Sequence, residues 1–264
     1  MIKAQGLVAT FNRGTPMETR ALRGIDLDIP AGQFVTVIGS NGAGKSTLLN
    51  ALTGDVTLES GRVVVDGVDV TGWSPPRRAA LLARVFQDPM AGTCEALSIE
   101  ENLALAAARG RRRGMRLALD GAVRGAFRDR LKELGLGLEA RLADKMGLLS
   151  GGQRQAVSLL MATLRPMKIL LLDEHTAALD PKTAEFVLQL TDAIVTAQGL
   201  TTLMVTHSMR QALDHGHRTV MLHEGRIAFD VAGDTRAGLD VPDLLALFSR
   251  VRGEMLADDS LLLA

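Results

Sequence analysis

Gly39-Ser40-Asn41-Gly42-Ala43-Gly44-Lys45-Ser46-Thr47 is the stretch whose reading decides the fold. It fits G-x-x-x-x-G-K-[ST], a glycine-rich loop in which backbone N–H groups approach phosphate oxygens because no side chains stand in the way. Lys45 adds a point charge for β- and γ-phosphates, and the Ser46 hydroxyl is placed to ligate Mg²⁺. A helix begun at Lys45 aims its positive dipole end at the same anions. The spacing is not G-x-G-x-x-G, so a dinucleotide site is not favoured. The apolar run Phe34-Val35-Thr36-Val37-Ile38 before the loop reads as a buried strand, and Ser46 to Leu52 after it as a helix start. Strand, glycine loop and helix in that order predict an α/β fold with a P-loop NTPase sheet core.

On the N-terminal side, Ile2 to Phe11 and Ala21 to Ile29 read as strands around the turn cluster Asn12-Arg13-Gly14-Thr15-Pro16. Leu22, Ile25, Leu27 and Ile29 suit a half-exposed antiparallel strand, so an N-terminal antiparallel β layer is predicted. Val63 to Val65 and Val68 to Val70 flank Asp66-Gly67, a hairpin pattern. From about Ser98 to Leu149, β-branched residues thin out. Glu100 to Ala108 and Ala122 to Leu134 have helical composition and spacing, which predicts an inserted α-helical subdomain over roughly 88–160. Ile169 to Leu172 and Thr202 to Val205 read as buried parallel strands, each followed by a helix. Thr219 to Leu222 and Ile227 to Phe229 form a late hairpin around His223 to Arg226. Pro242 to Met255 is a last helix and Ala257 to Ala264 a tail, together about 241–264. One domain, 1–264, accommodates all of it.

Composition narrows the functional classes. Hydrophobic residues are 47% and charged residues 23% of 264, ordinary for a chain with a sizeable core. Lys+Arg and Asp+Glu are 30 each, so a strongly basic nucleic-acid-binding body is excluded. With seven Phe, one Trp and no Tyr, the chain offers few platforms for stacking bases, and no nucleic-acid partner is expected. Cys94 is the only cysteine, which rules out an intramolecular disulfide. The five His lack zinc-ligand spacing. No apolar run reaches the ~18–20 residues of a membrane span, and Met1 to Gln5 does not begin a secretory signal. A cytoplasmic protein is expected, whose membrane-spanning partner, if any, is another chain.

Two further motifs carry chemistry. Asp173-Glu174 closes the strand Ile169 to Leu172. Beside a P-loop, Asp173 is placed to hold Mg²⁺ through water and Glu174 to polarise an attacking water; alone, the pair would read as a solvated strand end. Leu149-Ser150-Gly151-Gly152-Gln153 precedes a helical run and makes a second anion-binding nest. One site rarely needs two phosphate cradles, so this one suits a partner molecule's nucleotide.

These five residues, in order after the P-loop and before Asp173, resemble the signature of ATP-binding-cassette (ABC) ATPases, and the resemblance covers nearly the whole chain. It implies that Gln87 senses Mg²⁺ and the γ-phosphate, that Ala178-Leu179-Asp180 is the D-loop, and that His207 is the switch histidine on the γ-phosphate. Phe11 falls where the family stacks an aromatic ring on adenine; the other reading is a strand-end core residue. The resemblance implies ATP and Mg²⁺ as cofactors. Gly39 to Thr47 and Phe11 bind ATP, as do Ser150, Gly151, Gly152 and Gln153 in trans. Ser46, Gln87 and Asp173 support the metal, and Glu174, His207 and Gln87 are catalytic. Two copies would close head to tail.

Most of the family has Pro after the catalytic Glu, where this chain has His175. That residue is either a titrating group near the site or a tolerated loop substitution. Asp173 to Thr176 and Phe86 to Thr93 resemble a tryptophan/tyrosine-type importer subgroup. The implied function is ATP hydrolysis powering import of a solute, an amino acid in that subgroup, from the inner face of the membrane. The implied partners are transmembrane permease subunits, met by the patch Asp88 to Ala96, and a separate solute-binding protein. The alternative is a soluble ABC ATPase acting in complex assembly. A small-molecule kinase would not need the second nest. Arg109, Arg111, Arg112, Arg113 and Arg116 form a basic patch, read either as a contact for lipid headgroups or a membrane partner, or as a solvated helix end or loop.

Overall fold

The computed structural model describes residues 1–110 and 118–252. In chain order the elements begin β1 (Ile2–Phe11), β2 (Thr19–Ile29), β3 (Phe34–Ile38), α1 (Lys45–Thr53), β4 (Ser60–Val65), β5 (Val68–Asp69) and α2 (Pro75–Arg78). There follow β6 (Leu82–Val85), α3 (Ile99–Ala107), α4 (Gly121–Lys132), α5 (Gly151–Thr163), β7 (Ile169–Asp173) and α6 (Pro181–Gln198). The chain continues with β8 (Thr202–Val205), α7 (Met209–Asp214), β9 (Arg218–His223), β10 (Arg226–Ala232), α8 (Gly233–Ala237) and α9 (Val241–Arg252). They fall into two compact units, one of Met1–Arg78 with Gly199 onward, the other of Ala79–Gln198.

The first unit holds the expected antiparallel layer, in the order β2-β1-β4-β5. β2 starts at Thr19 instead of Ala21, because Thr19 pairs with Phe11 and carries the ladder to the end of β1. The apolar run of β3 is buried throughout. It lies between two parallel partners, β8 with Val37 opposite Val205, and β9 with Val37 opposite Val220. Burial from both sides explains why it reads as continuous hydrophobicity instead of alternation. β9 and β10 form the late hairpin. Ile38 packs with Met209, Met221, Leu244 and Phe248, which seats α7 and α9 beneath the strand that ends in the glycine loop. Gly253 to Met255 of the expected last helix, and the tail from Ala257, lie outside the described residues.

The second unit contains the helical insertion. Ile99 and Leu103 of α3, Phe127 and Leu131 of α4, and Val157 and Leu160 of α5 form its apolar centre. Ser98 caps α3 in a capping box with Glu101, and Asp120 caps α4 through the Val123 N–H. β6 and β7 run parallel, with Val85 opposite Leu172. Among the described residues no helix is long and apolar enough to cross a membrane.

Candidate active site

In the first unit the glycine loop leaves the end of β3. Lys45 is almost fully buried; its Nζ donates to the carbonyls of Gly39 (2.7 Å) and Ser40 (3.2 Å). The cation is thus held over the loop's own backbone. Ala43 N–H closes on Ser40 O at 3.1 Å, which curls the loop. Behind it runs a relay of backbone bonds: Gly225 N–H donates to Ala43 O (3.0 Å), and Arg23 N–H donates to Gly225 O (2.8 Å). The β9–β10 turn and β2 therefore brace the loop from behind. Gly44 needs to be glycine twice over: its φ is +102°, and a Cβ would stand 2.6 Å from Ala21 O. Asn41, Gly42 and Ser46 are exposed, with Ser40 and Thr47 half-buried, so the outer face of the loop and the first turn of α1 are open to a ligand.

His207 belongs to the same end of the same sheet. Thr206 N–H bonds Val37 O at 3.0 Å, and His207 follows, so His207 and Gly39 leave adjacent parallel strands at their C-terminal ends. Phe11 ends β1 and is 40% exposed. That exposure overturns its reading as a core residue and leaves a ring face available for stacking.

The second unit repeats the arrangement with other residues. Gln87, exposed, lies two positions past the end of β6, and Asp173 is the last residue of the neighbouring β7. Glu174 comes next with φ +44°, a left-handed backbone that a non-glycine residue adopts at a cost of about 1–3 kcal/mol. The turn is closed by Ala177 N–H on Glu174 O at 2.9 Å.

Ser150 is the N-cap of α5. Its Oγ accepts from Gln153 N–H (3.3 Å), while Gln153 Oε1 accepts from Ser150 N–H (3.2 Å). The sequence reading places Ser150 and Gln153 with the two glycines in an anion-binding nest; in the structure each side-chain oxygen accepts from the other residue's backbone N–H, a box that leaves the Ser150 O–H and the Gln153 amide N–H groups as donors. A Cβ on Gly152 would lie 2.1 Å from Thr183 Cγ2 on α6, so this glycine also serves close helix packing. Asp180 caps α6, its Oδ1 accepting from Thr183 N–H at 3.1 Å, and these Thr183 hydrogen bonds hold its carboxyl below the usual carboxylate range.

His175 stands in the turn that follows β7, where it is buried. Its Nε2 lies 3.0 Å from Thr191 Oγ1, and that hydroxyl donates to Val187 O at 2.8 Å. With the hydroxyl proton so directed, Nε2–H is the donor. Arg109 is not a solvated helix end. It donates to Ala162 O (3.0 Å) and Arg165 O (3.3 Å) near the end of α5, and burial, then the charge of Arg165, pushes its pKa down. Arg111, Arg112, Arg113 and Arg116 lie outside the described residues.

Two residues of this unit were missed by sequence reasoning. Arg84 on β6 donates to Asp173 Oδ2 at 2.6 Å. Gln155 on α5 is fully buried and donates through Nε2 to Phe86 O at 3.2 Å, directly ahead of Gln87. The signal for Arg84 is a charged residue inside the apolar run Leu82 to Val85; Gln155, which follows the polar Gln153 and Arg154, carries no such signal. Arg84 also borders a surface groove lined by Phe86, Gly92, Cys94, Asn102, Leu105 and Arg109.

Among the described residues no cluster of three or more His, Cys, Asp or Glu could hold a metal ion. Ser46 in the first unit offers a hydroxyl and Asp173 in the second a strand-end carboxylate; each is an oxygen donor of the kind Mg²⁺ takes alongside substrate phosphates.

The ABC transporter family model matches residues 22–177. Tyrosine transport ATP-binding protein of Clostridioides difficile (strain R20291) is 40% identical over 248 residues, covering 94% of this chain and 98% of that protein. Thiamine import ATP-binding protein ThiQ of Escherichia coli (strain K12) is 37% identical over 204 residues, 77% of this chain and 82% of that one. Among solved structures, the ATP-binding cassette MJ0796, as a dimer in a post-hydrolysis state bound to ADP and Pi, superposes with a TM-score of 0.75. It is 29% identical and the match covers 88% of this chain and 98% of that one.

Proposed function

Because the chain belongs to the ABC transporter family, we propose that it is the ATP-hydrolysing subunit of an importer, working at the inner face of the membrane on uptake of an amino acid of the tyrosine type. The observation that carries this reading is the end-to-end match to a tyrosine transport ATP-binding protein, over 94% of one chain and 98% of the other. Relatives named for transport and import also favour it over a soluble ATPase acting in complex assembly.

The reaction is ATP + H₂O to ADP + phosphate. Lys45 leaves the Gly39 and Ser40 carbonyls for the β- and γ-phosphates, which the loop's N–H groups and the start of α1 also hold. Phe11 stacks on adenine. A bound Mg²⁺ would supply positive charge against the charge that develops on the phosphates. Ser46, Asp173 and Gln87 are the residues that would hold it. Glu174 orients and polarises the attacking water, and His207 donates to the γ-phosphate. Ser150, Gly151, Gly152 and Gln153 serve the nucleotide of a second copy, so each ATP is enclosed by two chains. The groove beside Phe86 to Cys94 receives the permease subunits, whose inward- and outward-facing states alternate as the two copies close and reopen; a separate solute-binding protein delivers the solute.

The test is uptake of labelled tyrosine by cells lacking the gene, with the wild-type gene or Glu174→Gln returned. Restoration by the first alone, with membrane chains co-purifying, supports the reading. Normal uptake without the gene, and no membrane chain in the complex, would leave the assembly function in its place.

A further inference from the structure

Leu82-Ala83-Arg84-Val85 forms β6, a strand whose other three residues are buried. An arginine in such a place is costly unless its charge is answered. Here the answer is Asp173: Nη2 to Oδ2 is 2.6 Å, with the two side chains 12% and 13% exposed. The guanidinium also lies over the Phe86 ring, 4.8 Å from its centroid, which fixes its plane. Screening by water is weak for a pair this shielded. Asp173 is thus not a lone carboxylate at a strand end. One of its oxygens is committed to a fixed cation, and Oδ1 remains as the second acceptor.

We propose that Arg84 is a positioning residue that sets the magnesium requirement of this chain, by holding the Asp173 carboxylate in place and competing with the divalent ion for its charge. The inference rests on the reading of Asp173 as a support for Mg²⁺. Two opposed effects follow from the geometry. Anchoring Oδ2 orders the carboxylate, which favours the ion. A guanidinium so close to that carboxylate neutralises it and repels a doubly charged neighbour, which disfavours the ion. A Coulomb term scales with the product of the charges and is large where water is excluded, whereas the ordering of one short side chain with two rotatable bonds is a small entropy. The competition therefore wins, and Mg²⁺ binds less tightly than Asp173 alone would allow.

The experiment is calorimetric titration of ATP with and without Mg²⁺, in the Glu174→Gln background so that no turnover intervenes. The readout is the ratio of the two affinities. Removing the cation, in Arg84→Gln or in Arg84→Met should the first variant fail to fold, should raise that ratio about 3–10-fold. Affinity in the absence of Mg²⁺ should change by less than about 3-fold, a result that mere loss of structure would not give. Arg84→Lys should keep the ratio near the parent value. An unchanged or lowered ratio in Arg84→Gln, alongside a fall in Asp173→Asn, overturns the competition while leaving Asp173 as a metal support. No change in Asp173→Asn would overturn both.

Discussion

The unit of Met1–Arg78 with Gly199 onward and the unit of Ala79–Gln198 present their chemistry alike and secure it differently. Each sends its groups out from the C-terminal ends of two neighbouring parallel strands: β3 and β8 carry the glycine loop and His207, β6 and β7 carry Gln87 and Asp173-Glu174. In the first unit the loop is held by backbone, from Ser40 to Ala43 to Gly225 to Arg23. In the second, side chains do the holding: Arg84 on Asp173, Gln155 on Phe86 O, the Ser150–Gln153 box, His175 on Thr191. A phosphate cradle needs N–H groups fixed in space, which backbone bonds supply. A metal- and water-orienting site needs carboxylates and amides at set angles, which neighbouring side chains supply.

The comparison breaks most sharply at Glu174. Glu174→Gln should lower ATP turnover by about 10²–10⁴-fold, since the proposed general base is lost while the first unit's loop keeps its nucleotide-binding groups. Phosphate release and nucleotide affinity measured on one preparation check it, and near-normal turnover would remove Glu174 from its role.

A lesion in either unit alone should silence a homodimer, yet the lesions should complement. Lys45→Ala damages the first unit's loop and Ser150→Arg the second unit's nest. In a mixed dimer one composite site carries both and the other neither, so mixing the two inactive proteins should restore up to about half the activity per heterodimer. Labelled subunits verify that heterodimers form. ATP bound equally at both sites of the mixed dimer would show that Ser150 does not act in trans.

Backbone and side-chain support should also differ in repairability. Gly44→Ala meets a carbonyl oxygen at positive φ, and should cost about 2–3 kcal/mol with no simple second-site rescue. Gly152→Ala meets the methyl of Thr183, and should cost about 1–3 kcal/mol, most of it returned by Thr183→Ser. Denaturant midpoints of the four proteins decide this. The smallest effect belongs to Phe11→Ala: ATP affinity weaker by about 1–3 kcal/mol, with unfolding free energy within about 0.5 kcal/mol of wild type because the ring is exposed. A loss of stability with unchanged affinity would return Phe11 to a packing role.

Much of the first unit was legible. Its strands, the Asp66-Gly67 hairpin and the loop are patterns of adjacent residues, read from alternation, continuous burial and glycine spacing. In the second unit the helices and β7 were legible for the same reason, as was the order of Gln87, the Ser150 motif and Asp173-Glu174. The fates of particular side chains were not. His175 is a turn residue whose burial no local pattern marks, and its partner Thr191 lies sixteen positions away. Gln153 reads as part of an anion-binding nest, and only the folded helix shows its Oε1 also accepting from the Ser150 N–H.

The amino-acid order by itself determined the glycine loop, the helix after it, and the acidic pair at a strand end. Those depend on backbone freedom, N–H direction and hydrophobic period, all carried within a few consecutive residues. Tertiary structure alone decided which charge answers which, since Arg84 and Asp173 stand 89 positions apart and Gln155 and Phe86 69 apart. A side chain's partner is set by the register of two parallel strands and the packing of a helix, and no local pattern in the chain records that distance.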